Sequence, residues 1–194
     1  MRVVWLVMCR ELGAYFRSYM GYIILAVVLI VDGLLFNAYA IGGDSKFSAE
    51  VLRQFFYFSS GTTMIASIFL TMRLLAEEKK NGTIELLLTY PIREPAVLLG
   101  KYLATLLVIV LLLAATAINI FLLSRFGTVE WGPVLSGYIG LLMVAGAFVS
   151  LGMFTSALTQ NQIIAAVLGF GTLLLFWIIG WIGSVTGPGV GRVV

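Results

Sequence analysis

Histidine is absent from these 194 residues, and Cys9 is the single cysteine. Without a second cysteine no disulfide can form within the chain, and zinc sites built from cysteine and histidine are excluded. The usual pairing of a nucleophile with a histidine base is excluded too. A serine–lysine or carboxylate site survives in principle, but no convergent set of such residues stands out. No catalytic residue, metal or cofactor is therefore expected, and no nucleic-acid partner. Charge is also scarce. Charged residues make up 11% and hydrophobic residues 61%, where a soluble domain carries about 25% and about 45–50%. With a mean hydropathy of +1.07, most of this chain must have lipid as its solvent.

Signs of a removable targeting segment are lacking as well. The apolar stretch 3–9 is short, Arg10 and Glu11 interrupt it, and no small-residue cleavage site follows. Met8 precedes Cys9 where a lipoprotein signal would need a small residue.

What is present is a series of long apolar runs. Crossing about 30 Å of hydrocarbon at 1.5 Å per residue takes roughly 20 residues. Five segments qualify, near 22–41, 55–75, 102–123, 134–158 and 163–181. They must be helices, because a backbone in lipid has to satisfy its own hydrogen bonds, and the alternation of barrel strands is missing. The expected class is all-α, a polytopic helix bundle forming one domain over 1–194. Residues 1–20 precede the first span. At 100° per residue Arg2, Arg10 and Arg17 fall on one narrow arc, with Trp5, Val7, Met8, Leu12 and Tyr15 elsewhere. That pattern suits a helix lying in the membrane interface; the alternative is a plain basic flank.

Lysine and arginine set the orientation. Arg2, Arg10 and Arg17 with Arg73, Lys79, Lys80, Arg93 and Lys101 put eight cations on one side. Lys46, Arg53, Arg125 and Arg192 put four on the other. The N-terminus and the 73–101 loop are thus expected in the cytoplasm, and five spans leave the glycine-rich stretch 183–191 outside.

Small residues four apart, Ser136/Gly140, Gly146/Ser150, Gly152/Ser156 and Ala165/Gly169, let helix backbones approach closely in lipid. Ser60, Thr63, Ser67 and Thr71 form a hydroxyl stripe on the second span, either packing contacts or the polar lining of a substrate path. Asp32 is the clearest intramembrane ionisable residue. About eleven residues past Gly21 at 1.5 Å each, it lies roughly 16 Å in, near the midplane. It must be protonated, face the bundle or pair with a group such as Asn119 on the third span. A neutral acid bonded to a neighbouring helix and a polar point on a substrate path are both open.

The 73–101 loop carries the most information. The second span runs on as a charged helix over 76–80, and Asn81-Gly82 supplies a left-handed stop. Thr83 then suits an N-cap, with Glu85 in the first turn. Residues 84–90 make a short helix ended by Pro91, and about two turns cannot hold alone in water. Its apolar face, Ile84, Leu87 and Leu88, must pack on something. A short capped helix on a charged stalk suits a permease pushed by a cytosolic motor; an ordinary interfacial loop would read alike.

The segments AEEKKNGTIELLLTYPI and LLGKYLA resemble the signature region of type-2 ABC transporter permeases, in particular the branch of gliding-motility and nitrous-oxide-reductase-maturation permeases. ELGAYFRSYMGYIILAVVLIVDGLLF and LTQNQIIAAVLGFGTLLLFWIIGW are similar to the same family. The resemblance implies that 76–95, with Glu77, Glu78, Lys79, Lys80, Gly82, Thr83, Ile84, Glu85, Leu87 and Leu88, is the coupling element against the ATPase. The turn Thr159-Gln160-Asn161 would be the second contact, and 3–16 the interfacial connector helix. Two permease and two ATPase subunits, with the permeases alike or different, would work together in the inner membrane. The family has six spans, and five are expected here.

Residues 95–102, PAVLLGKY, superficially resemble a phosphate loop. Pro95 stands where its first glycine belongs, Tyr102 where its hydroxyl residue belongs, and no strand precedes it. The chain is thus expected to have no ATPase site, and its energy must come from a partner. Export driven by that partner is the expected function, with asparagine, hydroxyls and Asp32 (Asp32, Ser60, Thr63, Ser67, Asn119) on the substrate path. The alternatives are an ABC-type device doing mechanical or assembly work in the envelope, or a secondary transporter driven by an ion gradient.

Overall fold

Lipid rewards one backbone solution, and the chain adopts it throughout: every regular element among the described residues is a helix. The computed structural model describes residues 2–40, 48–82, 94–126 and 131–185. The elements are α1 (Arg2–Arg17), α2 (Tyr19–Ala40), α3 (Ser48–Thr71), α4 (Ala76–Lys80), α5 (Glu94–Phe126), α6 (Trp131–Leu158) and α7 (Gln162–Val185). Four stretches are long and apolar enough to cross a membrane, Tyr19–Ala38, Val51–Lys80, Glu94–Arg125 and Trp131–Leu158. The described apolar run of α7 is Gln162–Phe176. The short helix expected at 84–90, with Thr83, Ile84, Glu85, Leu87 and Leu88, lies outside the described residues, as does most of 183–191.

The observed helices run past the apolar runs that announced them. The third begins at Glu94 rather than 102, and the second begins at Ser48 rather than 55 and stops at Thr71. Hydropathy marks where lipid begins, not where the helix does. Residues 94–101 add about two helical turns ahead of the expected start.

The second span occupies the centre. It packs most widely on α6, and also on α2, α5 and α7. Its Ala66, Ser67, Leu70 and Thr71 are wholly buried. Ala66 and Leu70 meet Ile109 and Leu112 of α5 and Ala145 and Val149 of α6 in the main core cluster. A second cluster, at the opposite end from α4, joins Phe36, Phe55, Ile120 and Val134. There Phe36 and Phe55 meet edge to face at 5.6 Å, the favoured arrangement of two rings.

The first helix lies along α5. Trp5 and Leu6 face outward, whereas Tyr15 is buried at 3% exposure. The Tyr15 hydroxyl donates to the Leu70 carbonyl (2.8 Å) and lies 3.2 Å from Thr105 Oγ1. Burial pushes its phenol up to about 12, so this anchor is a neutral donor at neutral pH. Apolar periodicity alone did not single it out.

Candidate functional site

The second span does not continue straight into the charged stalk. After Thr71 the chain makes a turn at 72–75, where the Leu74 amide donates to Thr71 (3.0 Å), and α4 then starts afresh. A restarted helix exposes unpaired amides at its first turn. Here one foreign hydroxyl serves them. Ser156 Oγ of α6 accepts from the Leu75 amide (3.2 Å) and the Ala76 amide (3.1 Å), and donates to the Met72 carbonyl (3.0 Å). The Lys79 ammonium donates to the Ala157 carbonyl beside it. Five residues could not hold as a helix alone. The end of α6 holds them.

Within α4, Glu77 and Glu78 occupy the first turn and Lys79 and Lys80 the last, the order that suits the helix dipole. Gly82 follows with φ +68°, a left-handed conformation that other residues adopt reluctantly. Two residues beyond Ala157 lies the turn 159–161. The Asn161 amide donates to Thr159 Oγ1 (3.1 Å), and Asn161 Oδ1 accepts from the Ile163 amide (2.9 Å), capping α7. Gln160 and Asn161 are exposed, as are Glu77 and Lys80. The fourth helix touches both α6 and α7. The described start of the 76–95 segment, α4, and the turn 159–161, far apart in the chain, are therefore neighbours at one end of the bundle.

Glu78 has a different setting from Glu77. Its Oε1 is 2.8 Å from the Lys101 ammonium and 3.2 Å from the Arg10 guanidinium. Glu11 Oε1 is 3.0 Å from Lys101 and 2.8 Å from Arg10. Lys101 also donates to the Leu74 carbonyl (3.1 Å) inside the break. Two cations and two carboxylates thus join α1, α4 and α5. Burial works to raise the Glu11 carboxyl, but Lys101 and Arg10 outweigh it and hold the group below its ordinary value. The bond to Glu11 raises Arg10. A carboxylate held low stabilises the fold above its unfolded value, and the benefit is lost as pH falls through the folded one. A cavity of about 400 Å³ opens beside the network, with Arg73, Glu77 and Asn81 also on its walls.

Lys101 was read as a loop charge that reports orientation; it is instead a buried helix residue. Gly100, taken with it as a false phosphate loop, lies inside α5, where Val7 of α1 packs against it.

Inside the bundle, Asp32 is 2% exposed and accepts from Thr62 Oγ1 (2.8 Å) and Ser59 Oγ (3.3 Å). The expected partner Asn119 makes no hydrogen bond to it. On the second span three hydroxyls of the stripe bond back to their own helix, Ser60 to Tyr57 (2.6 Å), Ser67 to Thr63 (2.8 Å) and Thr71 to Ser67 (2.6 Å), whereas Thr63 Oγ1 is buried with no partner among the described residues. Thr63, Ser67 and Thr71 are buried within this single chain.

Replacing Ser156 by alanine would orphan two amides and a carbonyl at the break, each worth about 1–3 kcal/mol if water does not reach it. Ser156→Ala is expected to lower the melting temperature in detergent and to speed proteolysis near residue 80. Parental stability would show that the hydroxyl does not hold the stalk.

A family model described as ABC-2 family transporter protein matches residues 23–188. No curated protein and no solved structure matches the chain. The matched stretch takes in the long helices, the break, the stalk and the turn that lies beside it. This multi-pass membrane chain belongs to the ABC-2 family of transporter proteins.

Proposed function

We propose that the chain is the permease subunit of an ABC exporter, driven by ATP hydrolysis in a separate cytosolic subunit and working beside a second permease subunit, identical or homologous. The observation that carries this is the single polar face made by α4 and the 159–161 turn. Glu77, Lys80, Gln160 and Asn161 are exposed there, while Ser156 holds the stalk to the bundle. A push on that face reaches α6 and α7 directly. The AEEKKNGTIELLLTYPI segment supports the gliding-motility and nitrous-oxide-reductase-maturation branch. The cation bias, seven to four without the buried Lys101, supports a cytoplasmic N-terminus and α4, in a bundle of the inner membrane.

Two variants test the docking face. Reversing the exposed charges with Glu77→Lys and Lys80→Glu should reduce copurifying ATPase about tenfold, or roughly 1.4 kcal/mol, without changing insertion. Gly82→Pro should act likewise, since proline cannot adopt the positive φ found there. Parental ATPase binding and stimulation in both would remove the assignment. Orientation has its own check: in a Cys9→Ser background, Glu77→Cys should resist an impermeant maleimide on intact cells and react after lysis.

A further inference from the structure

Lysine is seldom buried unless paired, yet Lys101 is 1% exposed, the largest fully buried side chain among the described residues. It stands on α5 and holds groups from three other places: Glu11 on α1, Glu78 on α4 and the Leu74 carbonyl in the break. The paired carboxylate side chains are only 14% and 16% exposed.

The break gives this arrangement a consequence for movement. With 72–75 out of helix, α3 and α4 are not one rod, and a displacement of α4 need not travel up the second span. It has two bonded routes. One runs through Ser156 and Ala157 into α6; the other runs through Lys101 into α5 and α1. Residues of α1, the break, α4 and α5 together line the cavity of about 400 Å³ beside this junction. Arg73, at the hinge, lies over the Tyr15 ring of α1 at 4.7 Å, a second contact tying α1 to the hinge.

The geometry points to Lys101 as the positioning residue that makes α1 and the α4 stalk move as one piece during the ATPase cycle. One ammonium holds a carboxylate from each, and Arg10 bridges the same two oxygens, so α1 follows the stalk along the membrane surface. This rests on the proposed docking of the ATPase at α4 and adds to it a mobile α1. A static brace of the same residues would stabilise the fold and transmit nothing.

The single cysteine supplies the reporter. Cys9 is exposed and precedes Arg10 on α1. A spin label there is read in the complete complex, nucleotide-free and with ATP bound. The parent should show a nucleotide-dependent change in label mobility. Lys101→Met and Glu11→Gln should keep the ATPase bound while that change and the stimulated ATPase rate fall about fivefold or more, an ordinary coupling free energy. A lower melting temperature with the nucleotide response intact in both variants identifies a brace and overturns the proposal. So does a parent whose label does not respond. Should Lys101→Met fail to accumulate, the near-isosteric Glu11→Gln decides by the same criteria. A parent that holds no ATPase overturns the docking assignment, and the proposal with it, which separates the two failures.

Discussion

Gly152→Val is expected to be among the most damaging single substitutions in the bundle. A Cβ at this position would overlap the Thr71 hydroxyl and stand 3.0 Å from Thr71 Cβ. Thr71 has little freedom to move aside. It is β-branched within a helix, it is wholly buried, and its hydroxyl donates to the Ser67 carbonyl at 2.6 Å. The helices α3 and α6 must therefore part. Replacing a helical glycine by alanine gains only about 0.5–1 kcal/mol of backbone entropy, whereas overpacking a filled core costs about 1–3 kcal/mol and sometimes more. The clash wins. Its effect also spreads, because Ser156 lies one turn further along α6 and loses its reach to the Leu75 and Ala76 amides once the helices separate.

Gly152→Val should thus lower both the melting temperature and the yield of membrane-inserted protein, and ATPase stimulation should fall in whatever remains. Gly140→Val is the control, since nothing lies within 4 Å of a Cβ there. Pairing Gly152→Ala with Thr71→Ala should recover most of what Gly152→Ala alone loses. Equal behaviour of the Gly152 and Gly140 variants would show that close approach of these helices does not matter.

The contrast between these glycines shows how far the sequence carries. Spacing of small residues marks positions where helices can approach, and it marked Gly140 and Gly152 alike. Which one is used depends on how the helices are rotated about their axes. That is decided by the whole set of packed side chains, not by any local pattern. The spans were legible because lipid imposes length and apolarity one segment at a time. The stop after the stalk was legible for a similar reason, since Asn-Gly supplies a left-handed residue locally, and Gly82 has that conformation.

The break at 72–75 was not legible. No proline or glycine marks it, and RLLA reads as good helix. It persists because Ser156, some eighty residues away, satisfies the groups that the break releases. Lys101 escaped for the same reason. A lysine at the edge of an apolar run is ordinarily a solvated flank, and only the folded chain brings Glu11 and Glu78 to it. Long-range partners turned a topological charge into a junction.

Asp32→Asn and Asp32→Leu should separate sharply, with the amide tolerated and the leucine not. An ionised carboxylate near the midplane costs about 2.5 kcal/mol or more on insertion scales, so removing the charge favours insertion in both variants. They differ in what remains for α3. Asparagine keeps a carbonyl oxygen where Thr62 Oγ1 (2.8 Å) and Ser59 Oγ (3.3 Å) now donate. Leucine leaves neither bond. Thr62 can fall back on the Ser59 carbonyl, 3.1 Å away, but Ser59 Oγ has no such alternative among the described residues.

Interhelical hydrogen bonds in membranes contribute about 0.6 kcal/mol on average and up to about 1.7. Losing this pair should cost Asp32→Leu on the order of 1–2 kcal/mol, enough to depress its yield and melting temperature clearly below those of Asp32→Asn. The nearby Phe36–Phe55 contact should loosen with it, since both residues flank Asp32 in a small cavity. Transport in reconstituted vesicles then decides between a clasp and a charge on the substrate path. A clasp predicts near-parental transport per molecule for Asp32→Asn. Loss of transport in both variants at parental yield would show that the charge itself is used. Parental yield and transport for Asp32→Leu would remove both roles and leave a buried acid that the bundle merely tolerates.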